Sequence, residues 1–369
     1  MEQKRFIETG SNSFYGEYLY EQVVPQSHFL RKLKQTIDWG RFTRKLIKLY
    51  KGEGVVGRPP FDPAQVLRIE LIAYLYKLSE RQVEVYINEN LPAKYFVGLA
   101  VDQKAPDHST LTVFRERLIE RGKQKIFEEM LEEIVQMALQ RGIQFGSIQI
   151  VDSVHSVADV NTDKDRKRQG KGKGRHDPDA QWGVKHTRKV KNEAGQEEEQ
   201  KEYFYGYKAH ASLNAENGLI TSLEVTSGEA YDGHHFHGLV DHDLKQKLPV
   251  DTYAGDKGYD DGDNHYHLEL RGLHSAIRLK TTRTEKKDDN KQIWLDLVKT
   301  PQYRKGLKER YKIERKFGEA KQGHALGRCR YVGKARFAVQ AFFTAIMLNL
   351  KRMVKILTGI GFKTQTALA

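Results

Sequence analysis

Apolar residues in this chain recur at a helical interval up to about residue 145 and at an interval of two from Gly146. That change of period constrains the fold more than any other feature, because the two intervals bury different faces. Gly146 to Asp152 alternates apolar and polar residues and reads as a strand. A strand pair follows, Tyr203 to Leu213 and Leu219 to Val225, joined by a turn at Asn214 to Gly218. His234 to Lys247 reads as a helix, Val250 to Ala254 as a short strand, Asp260 to Arg271 as a helix and Ser275 to Lys280 as a last strand. Gln302 to about Gly323 reads as one long helix. Three strands, then helix, strand, helix, strand and helix, predict an α/β mixed sheet flanked by helices.

The region ahead of residue 122 carries only helical signals. Up to about residue 24 it reads as a loosely held arm. Phe29, Leu30, Leu33, Ile37, Phe42, Leu46, Ile47 and Tyr50 then mark helices, followed by a Gly/Pro-rich break from Gly52 to Pro60. Asp62 and Pro63 are suited to open a helix running to about Leu78, Ser79 to cap one ending near Asn90, and Asp107 to Thr110 to open another. Arg115, Arg117 and Arg121 project from the last of these. A short turn between helices followed by an arginine-bearing helix suits DNA reading, although plain packing produces the same pattern. A further helix, Lys123 to Arg141, leads into the first strand.

Charge points the same way. Among 369 residues, 62 Lys and Arg outnumber 49 Asp and Glu, for a net charge of +13. So basic a chain is suited to a polyanion, and nucleic acid is the first candidate. The one cysteine, Cys329, excludes an internal disulfide and any zinc site built on several thiolates. The N-terminus lacks the apolar stretch of a secretory signal. The run from Phe337 to Leu357 is interrupted or flanked by Arg336, Gln340, Asn349, Lys351 and Arg352, so a buried helix is expected and a membrane span is not. A cytoplasmic, nucleoid-associated protein is expected. Residues 161–202 insert between the first two strands. They are polar, rich in Lys and Arg between 164 and 175, and are expected to be flexible, with Arg166, Lys167 and Arg168 touching phosphates without reading sequence.

Three acids stand out by position. Asp152 ends the first strand, Asp256 follows the Val250–Ala254 strand, and Glu314 lies inside the long basic helix. Strand ends are where an α/β sheet gathers its active-site loops. Carboxylates converging there would suit two divalent ions, which activate an attacking oxygen and stabilise a leaving one. Taken singly, each acid reads more readily as a cap or a surface charge. The helix around Glu314 is more telling. Leu307, Arg310, Glu314 and Lys321 fall on one stripe at ~100° per residue. Residues 301–336 hold 12 Lys and Arg against 3 Glu and no Asp. Such a surplus repels itself unless a polyanion lies against it, and a carboxylate within that surface calls for a bridging cation.

At these residues the chain resembles the DDE transposases of bacterial insertion sequences, which have a ribonuclease-H-like catalytic domain behind an N-terminal helical DNA-binding domain. The resemblance covers roughly Val24 to Leu350. It is carried by Gly57 to Pro63 and Asp107 to Arg117, Ile150 to Ser153, Tyr205 to His210 with Glu224 to Thr226, Ala254 to Tyr259, and Ile313 to Gly318 followed by Arg328 to Tyr331. It departs at Leu307, where the family carries tyrosine, and at Ser227 and Tyr231, where it carries proline and histidine.

The resemblance implies a flexible arm at 1–24, a DNA-binding domain at 25–122, a linker helix at 123–145, a catalytic domain at 146–358 and a tail at 359–369. It implies Mg2+, with Mn2+ able to substitute, held by Asp152, Asp256 and Glu314. Arg310 and Lys321 would hold phosphates, with Lys208, Arg315, Lys316, Arg328, Arg330, Arg115 and Arg117 as further DNA contacts. The implied partners are terminal inverted repeats, target DNA and a second copy of the chain, with cleavage at the ends of a mobile element followed by strand transfer. A nuclease without strand transfer and an inactive DNA-binding regulator are the alternatives. His234, His235 and His237 point in different directions on a helix and do not suit a shared metal. Lys208 and His210 share a strand face and read either as packing or as site residues. Trp182 reads either as a loop anchor or as a platform for an unpaired base.

Overall fold

A computed structural model describes residues 6–7, 14–50, 59–191, 197–285 and 291–362. Most of the Gly/Pro-rich break, part of the N-terminal arm and the end of the tail lie outside these. The chain forms two compact units, one of Met1–Ile143 with Phe343–Ala369, the other of Gln144–Phe342.

The first unit is helical: α1 (Phe14–Val23), α2 (Phe29–Thr36), α3 (Gly40–Leu46), α4 (Pro63–Tyr76), α5 (Glu80–Glu89), α6 (Leu91–Val97), α7 (His108–Arg117) and α8 (Lys123–Gln140). Its starts follow local chemistry. Asp62 accepts from Ala64 N–H ahead of Pro63, Ser79 and Gln82 form a reciprocal cap, and Asp107 accepts from Ser109 N–H. The arm expected to be loose holds α1 instead, because Tyr20 is buried and donates to the Leu99 carbonyl at 2.7 Å. The described part of the tail is likewise packed: the Phe362 ring lies 5.2 Å from Phe29 and 5.5 Å from Tyr76. α8, read as a linker, buries Ile126, Phe127, Met130, Leu131, Ile134 and Val135 within this unit.

The second unit holds β1 (Ile148–Val157), α9 (Thr162–Gln169), β2 (Gln181–Lys191), β3 (Glu197–Asn214), β4 (Ile220–Ser227), α10 (Phe236–Lys245), β5 (Thr252–Gly255), α11 (Gly262–Glu269), β6 (His274–Ile277), α12 (Thr281–Glu285), α13 (Lys291–Lys299), α14 (Pro301–Glu309) and α15 (Tyr311–His324). α16 (Lys334–Thr358) runs from this unit into the residues of the first. It is the one described helix long and apolar enough to cross a membrane by length and composition, and 89% of its apolar window is buried in protein.

The sheet runs β2-β3-β1-β5-β6, with β4 also on β3. β1, β3 and β4 pair antiparallel, whereas β1, β5 and β6 pair parallel. Val151, Tyr253 and Ile277 pack with Phe236, Leu239, Val240 and Leu268 of α10 and α11 on one face. α14 covers the other face so closely that a Cβ on Gly306 would stand 2.4 Å from Ala276 Cβ. An antiparallel triple extended by two parallel strands between helical layers is a ribonuclease-H-like fold.

The insertion at 161–202 is not structureless. It contains α9, β2 and the first part of β3, and β2 pairs with β3 from Gln181↔Gly206 to Lys191↔Glu197. Its polar residues form strands because the hairpin prolongs an existing sheet and needs no apolar face of its own. Buried Asp177 ties it down, accepting from Tyr207 OH at 2.6 Å while its carbonyl accepts from Tyr205 OH at 2.9 Å.

Candidate active site

The parallel register of β1 and β5 pairs Ile148 with Thr252, Gln149 with Tyr253 and Ile150 with Ala254. Continued by two residues, it sets Asp152 beside Asp256. Asp256 therefore stands just past the end of β5, level with Asp152. The sequence placed Asp152 at the end of the first strand, but β1 runs on to Val157 because β3 continues to pair with it, so Asp152 lies midway along β1. Neighbouring strands lie ~4.8 Å apart in a sheet. Asp256 is oriented by its own turn: Oδ1 accepts from Gly258 N–H at 2.7 Å, and a Cβ on Gly258 would sit 2.8 Å from that oxygen. Asp152 Oδ1 accepts from Ser153 N–H at 2.8 Å. Burial pushes the Asp152 carboxyl up to about 7; the Ser153 N–H and the Arg310 charge oppose this, and the negative charges of Asp256 and Asp232 add to it. Buried Tyr259 stands in the same field, its phenol raised by burial and by Asp152, Asp232 and Asp256.

The helix expected over 302–323 is two helices, with the break at Arg310. Arg310 keeps helical angles, and Ile313 N–H bonds to its carbonyl at 3.2 Å in the tighter i→i+3 pattern. Buried Ile313 and Ala320 seat α15. The Arg310 guanidinium acts on Asp152 and lies 3.9 Å from Glu314 Oε1. Glu314 itself is 63% exposed. At the far end of α15, Lys321 Nζ donates to His155 Nε2 at 3.4 Å, and burial, followed by the Lys185 charge, lowers its pKa. Of the stripe anticipated on one helix, Arg310 and Lys321 reach β1 at Asp152 and His155, whereas Leu307 falls on α14, before the break. Leu307 is partly buried on α14.

The donor set at Asp152, Asp256 and Glu314 is all carboxylate oxygen, which fits a hard divalent cation. Such a cation would offset the cost of ionising Asp152, which burial raises first and the neighbouring carboxylates second. The three side chains are not closed around one point. Among the described residues, the group that brings three ligand atoms within 4.8 Å of one another is Glu84, Asp107 and His108 in the helical unit. There His108 Nδ1 meets Glu84 Oε2 at 2.9 Å, an ordinary helix-to-helix contact.

Several basic residues lie elsewhere than the sequence suggested. Arg115 is buried, held by Glu70 at 2.9 Å and by Glu80, because α7 turns that face into the core. The Arg117 guanidinium lies 3.8 Å from the centre of the Tyr50 ring. The Lys208 ammonium is engaged by Asp232 and by the Ala230 carbonyl, both at 2.8 Å. Lys316 pairs with Glu319 at 3.2 Å and Arg328 with Asp159 at 2.9 Å, while Arg330 is partly buried. Arg315 and α9's Arg166, Lys167 and Arg168 are exposed.

Trp182 is 51% exposed, its ring 5.4 Å from Tyr205. The histidines separate as expected: His235 stacks on His210 and His237 on His267. Asp232 is the residue that sequence reasoning missed. It opens a single turn without periodicity, so only its place after β4 could have drawn notice.

A ribonuclease-H-like sheet with acids side by side on adjacent parallel strands defines a class of proteins that act on nucleic acid. Residues 144–350 match the family model described as the transposase DDE domain, and residues 18–117 match the one described as a transposase domain (DUF772). The chain belongs to the DDE transposase family, and its business is DNA transposition and recombination. A solved structure of the Mos1 transposase paired-end complex with left transposon end is 12% identical over 75% of this chain and 82% of that one. Its TM-score of 0.20 is too low to bear on the site.

Proposed function

We propose that the protein cleaves the ends of an insertion sequence and joins the freed 3′-hydroxyl to target DNA, with Asp152, Asp256 and Glu314 holding two divalent cations, Mg2+ or in its place Mn2+. The observation that supports this reading is the β1–β5 register, which extended by two residues brings Asp152 level with Asp256, together with the packing of α15, the helix bearing Glu314, against β1. When bound, the cations supply activation of the attacking oxygen and stabilisation of the leaving one. Asp152 and Asp256 fix one side of the site from the rigid sheet. Glu314 completes it from α15 by leaving Arg310, and the freed guanidinium then holds a phosphate. In the first step the water oxygen bonds to phosphorus, the bond to the 3′-oxygen breaks, and that oxygen takes a proton. In the second, the 3′-hydroxyl attacks a target phosphorus and a target 3′-oxygen leaves.

Lys321, Arg315 and α9's Arg166, Lys167 and Arg168 supply phosphate contacts, the helical unit recognises the inverted repeats, and two copies of the chain pair the ends. Such a protein works at the nucleoid. The test is to incubate protein, Mg2+ and a labelled duplex bearing the inverted repeat that borders the coding sequence, then map the cuts. Nicking that vanishes in Asp152→Ala supports the reading. Joining of a pre-cleaved end separates a transposase from a nuclease, and DNA binding without any cutting by the unaltered protein would mark a regulator.

A further inference from the structure

Asp232 ties together three segments at the level of Asp152. It opens the turn after β4, where its Oδ2 accepts from Ser153 Oγ at 2.9 Å and its Oδ1 from Lys208 Nζ at 2.8 Å. Ser153 is the β1 residue next to Asp152. Lys208 lies on β3, opposite His155, and donates a second bond to the Ala230 carbonyl at 2.8 Å. The Ser153 partner across the ladder is His210, whose Nδ1 stands 3.9 Å from the same Asp232 oxygen. The Lys208 and Asp232 side chains are only 14% and 28% exposed, so the pair is shielded from much of the solvent that weakens surface ion pairs.

We propose that Asp232 is a positioning residue for the phosphoryl-transfer site: it ties the β1 residue next to Asp152 to the turn after β4 and holds the Lys208 ammonium in place. The inference rests on Asp152 being an active-site acid. Both Asp232 oxygens accept from a side-chain donor, one from Ser153 and the other from Lys208. Without it, Lys208 would keep only the Ala230 carbonyl, and Ser153 Oγ would lose its partner. Asp152 would then sit beside a Ser153 side chain no longer tied to the turn after β4, with an uncompensated cation nearby. Such supporting residues around ligating carboxylates are worth ~10–100-fold in metal affinity or rate.

The experiment compares the unaltered protein with Asp232→Asn, Ser153→Ala, Lys208→Met and the Asp232→Asn/Lys208→Met pair, with Asp152→Asn as reference. It reads DNA affinity, the single-turnover nicking rate on the inverted-repeat duplex, and the rise in melting temperature produced by Mn2+ alone. Asp232→Asn and Lys208→Met are each expected to slow nicking ~10–100-fold, to keep DNA affinity within about twofold, and to shrink the Mn2+ response. The double variant is expected to be no slower than the worse single one, since the two residues act as one unit.

Multiplied losses in the pair, or a lost DNA affinity in Lys208→Met, would make Lys208 a phosphate contact and overturn the clamp. Nicking at the unaltered rate in Asp232→Asn, with Asp152→Asn dead, overturns the proposal and leaves the site intact. If Asp152→Asn nicks normally, the site reading itself is gone, and the proposal with it. Should Asp232→Asn fail to fold, Ser153→Ala decides: an unaltered rate and Mn2+ response refute the clamp, and a slowed rate with DNA binding kept supports it.

Discussion

Asp152 and Asp256 occupy equivalent positions on neighbouring parallel strands, each two residues beyond the last paired couple, Ile150 and Ala254. Glu314 approaches from a helix rather than from the sheet, and it is the only one of the three already paired to a cation, Arg310. This asymmetry makes the three acids separable by experiment.

Glu314→Gln keeps the size of the side chain and removes the charge. DNA binding should be retained and nicking should fall by ~10³-fold or more, the scale expected when one member of a cooperating set is lost. Gel shift and single-turnover cleavage on the same duplex check this, and an equal loss of binding would contradict it.

Asp152 carries a proton in the folded protein over a range where an unfolded chain has released it, because its pKa stands near 7 against the ordinary 3.8. Stability of the metal-free protein should therefore fall as pH rises from about 4 to 7, then level off. The effect has an upper bound of ~4 kcal/mol, at about 1.4 kcal/mol per pKa unit. Asp152→Asn should show a flatter dependence of melting temperature between pH 5 and 8 and a higher value at pH 8.

Gly306→Val should weaken the sheet-bearing unit by about 1–3 kcal/mol, because α14 rides on Thr252, Ala254 and Ala276 with no room for a side chain. A lowered urea midpoint in the unit that contains the sheet is the measurement. An unchanged midpoint would mean the helix lifts freely.

Arg115→Ala should cost the helical unit about 3–5 kcal/mol by leaving Glu70 buried without its cation. Its expected signature is early unfolding in urea, with the salt dependence of DNA binding unchanged.

Replacing Arg166, Lys167 and Arg168 together by Ala should weaken binding to all duplexes alike. It should lower the slope of log affinity against log salt by ~2–3, near 0.9 per lost phosphate contact. Loss confined to one DNA sequence would instead make α9 a reader of bases.

Asp256 could be read from the sequence because it follows a short run of strand residues, and an α/β sheet gathers such ends. Asp152 drew notice by the same rule, although pairing with β3 carries β1 on to Val157. Glu314 could be read because helical period alone aligns it with Arg310 and Lys321. Asp232 could not, since its partners Ser153 and Lys208 are 79 and 24 residues away and meet it only through the β1–β3 register. Arg115 looked like a surface cation for a similar reason: Glu70, 45 residues off, becomes its neighbour only once α4 and α7 pack. β2 escaped notice because its strand character comes from pairing with β3 and leaves no apolar alternation in the chain. The break at Arg310 has no proline or glycine to announce it.

The parallel ladder that seats the two aspartates has a bearing on how such chains vary. Their separation in space depends on the gap between adjacent strands, whereas their separation along the polypeptide is taken up by the β2–β3 hairpin and α10. Lengthening or trimming that excursion would leave the carboxylates where they are. A search for further proteins of this kind by a fixed count of residues between the two acids would therefore miss true members, and one anchored on the pairing of the two parallel strands would find them.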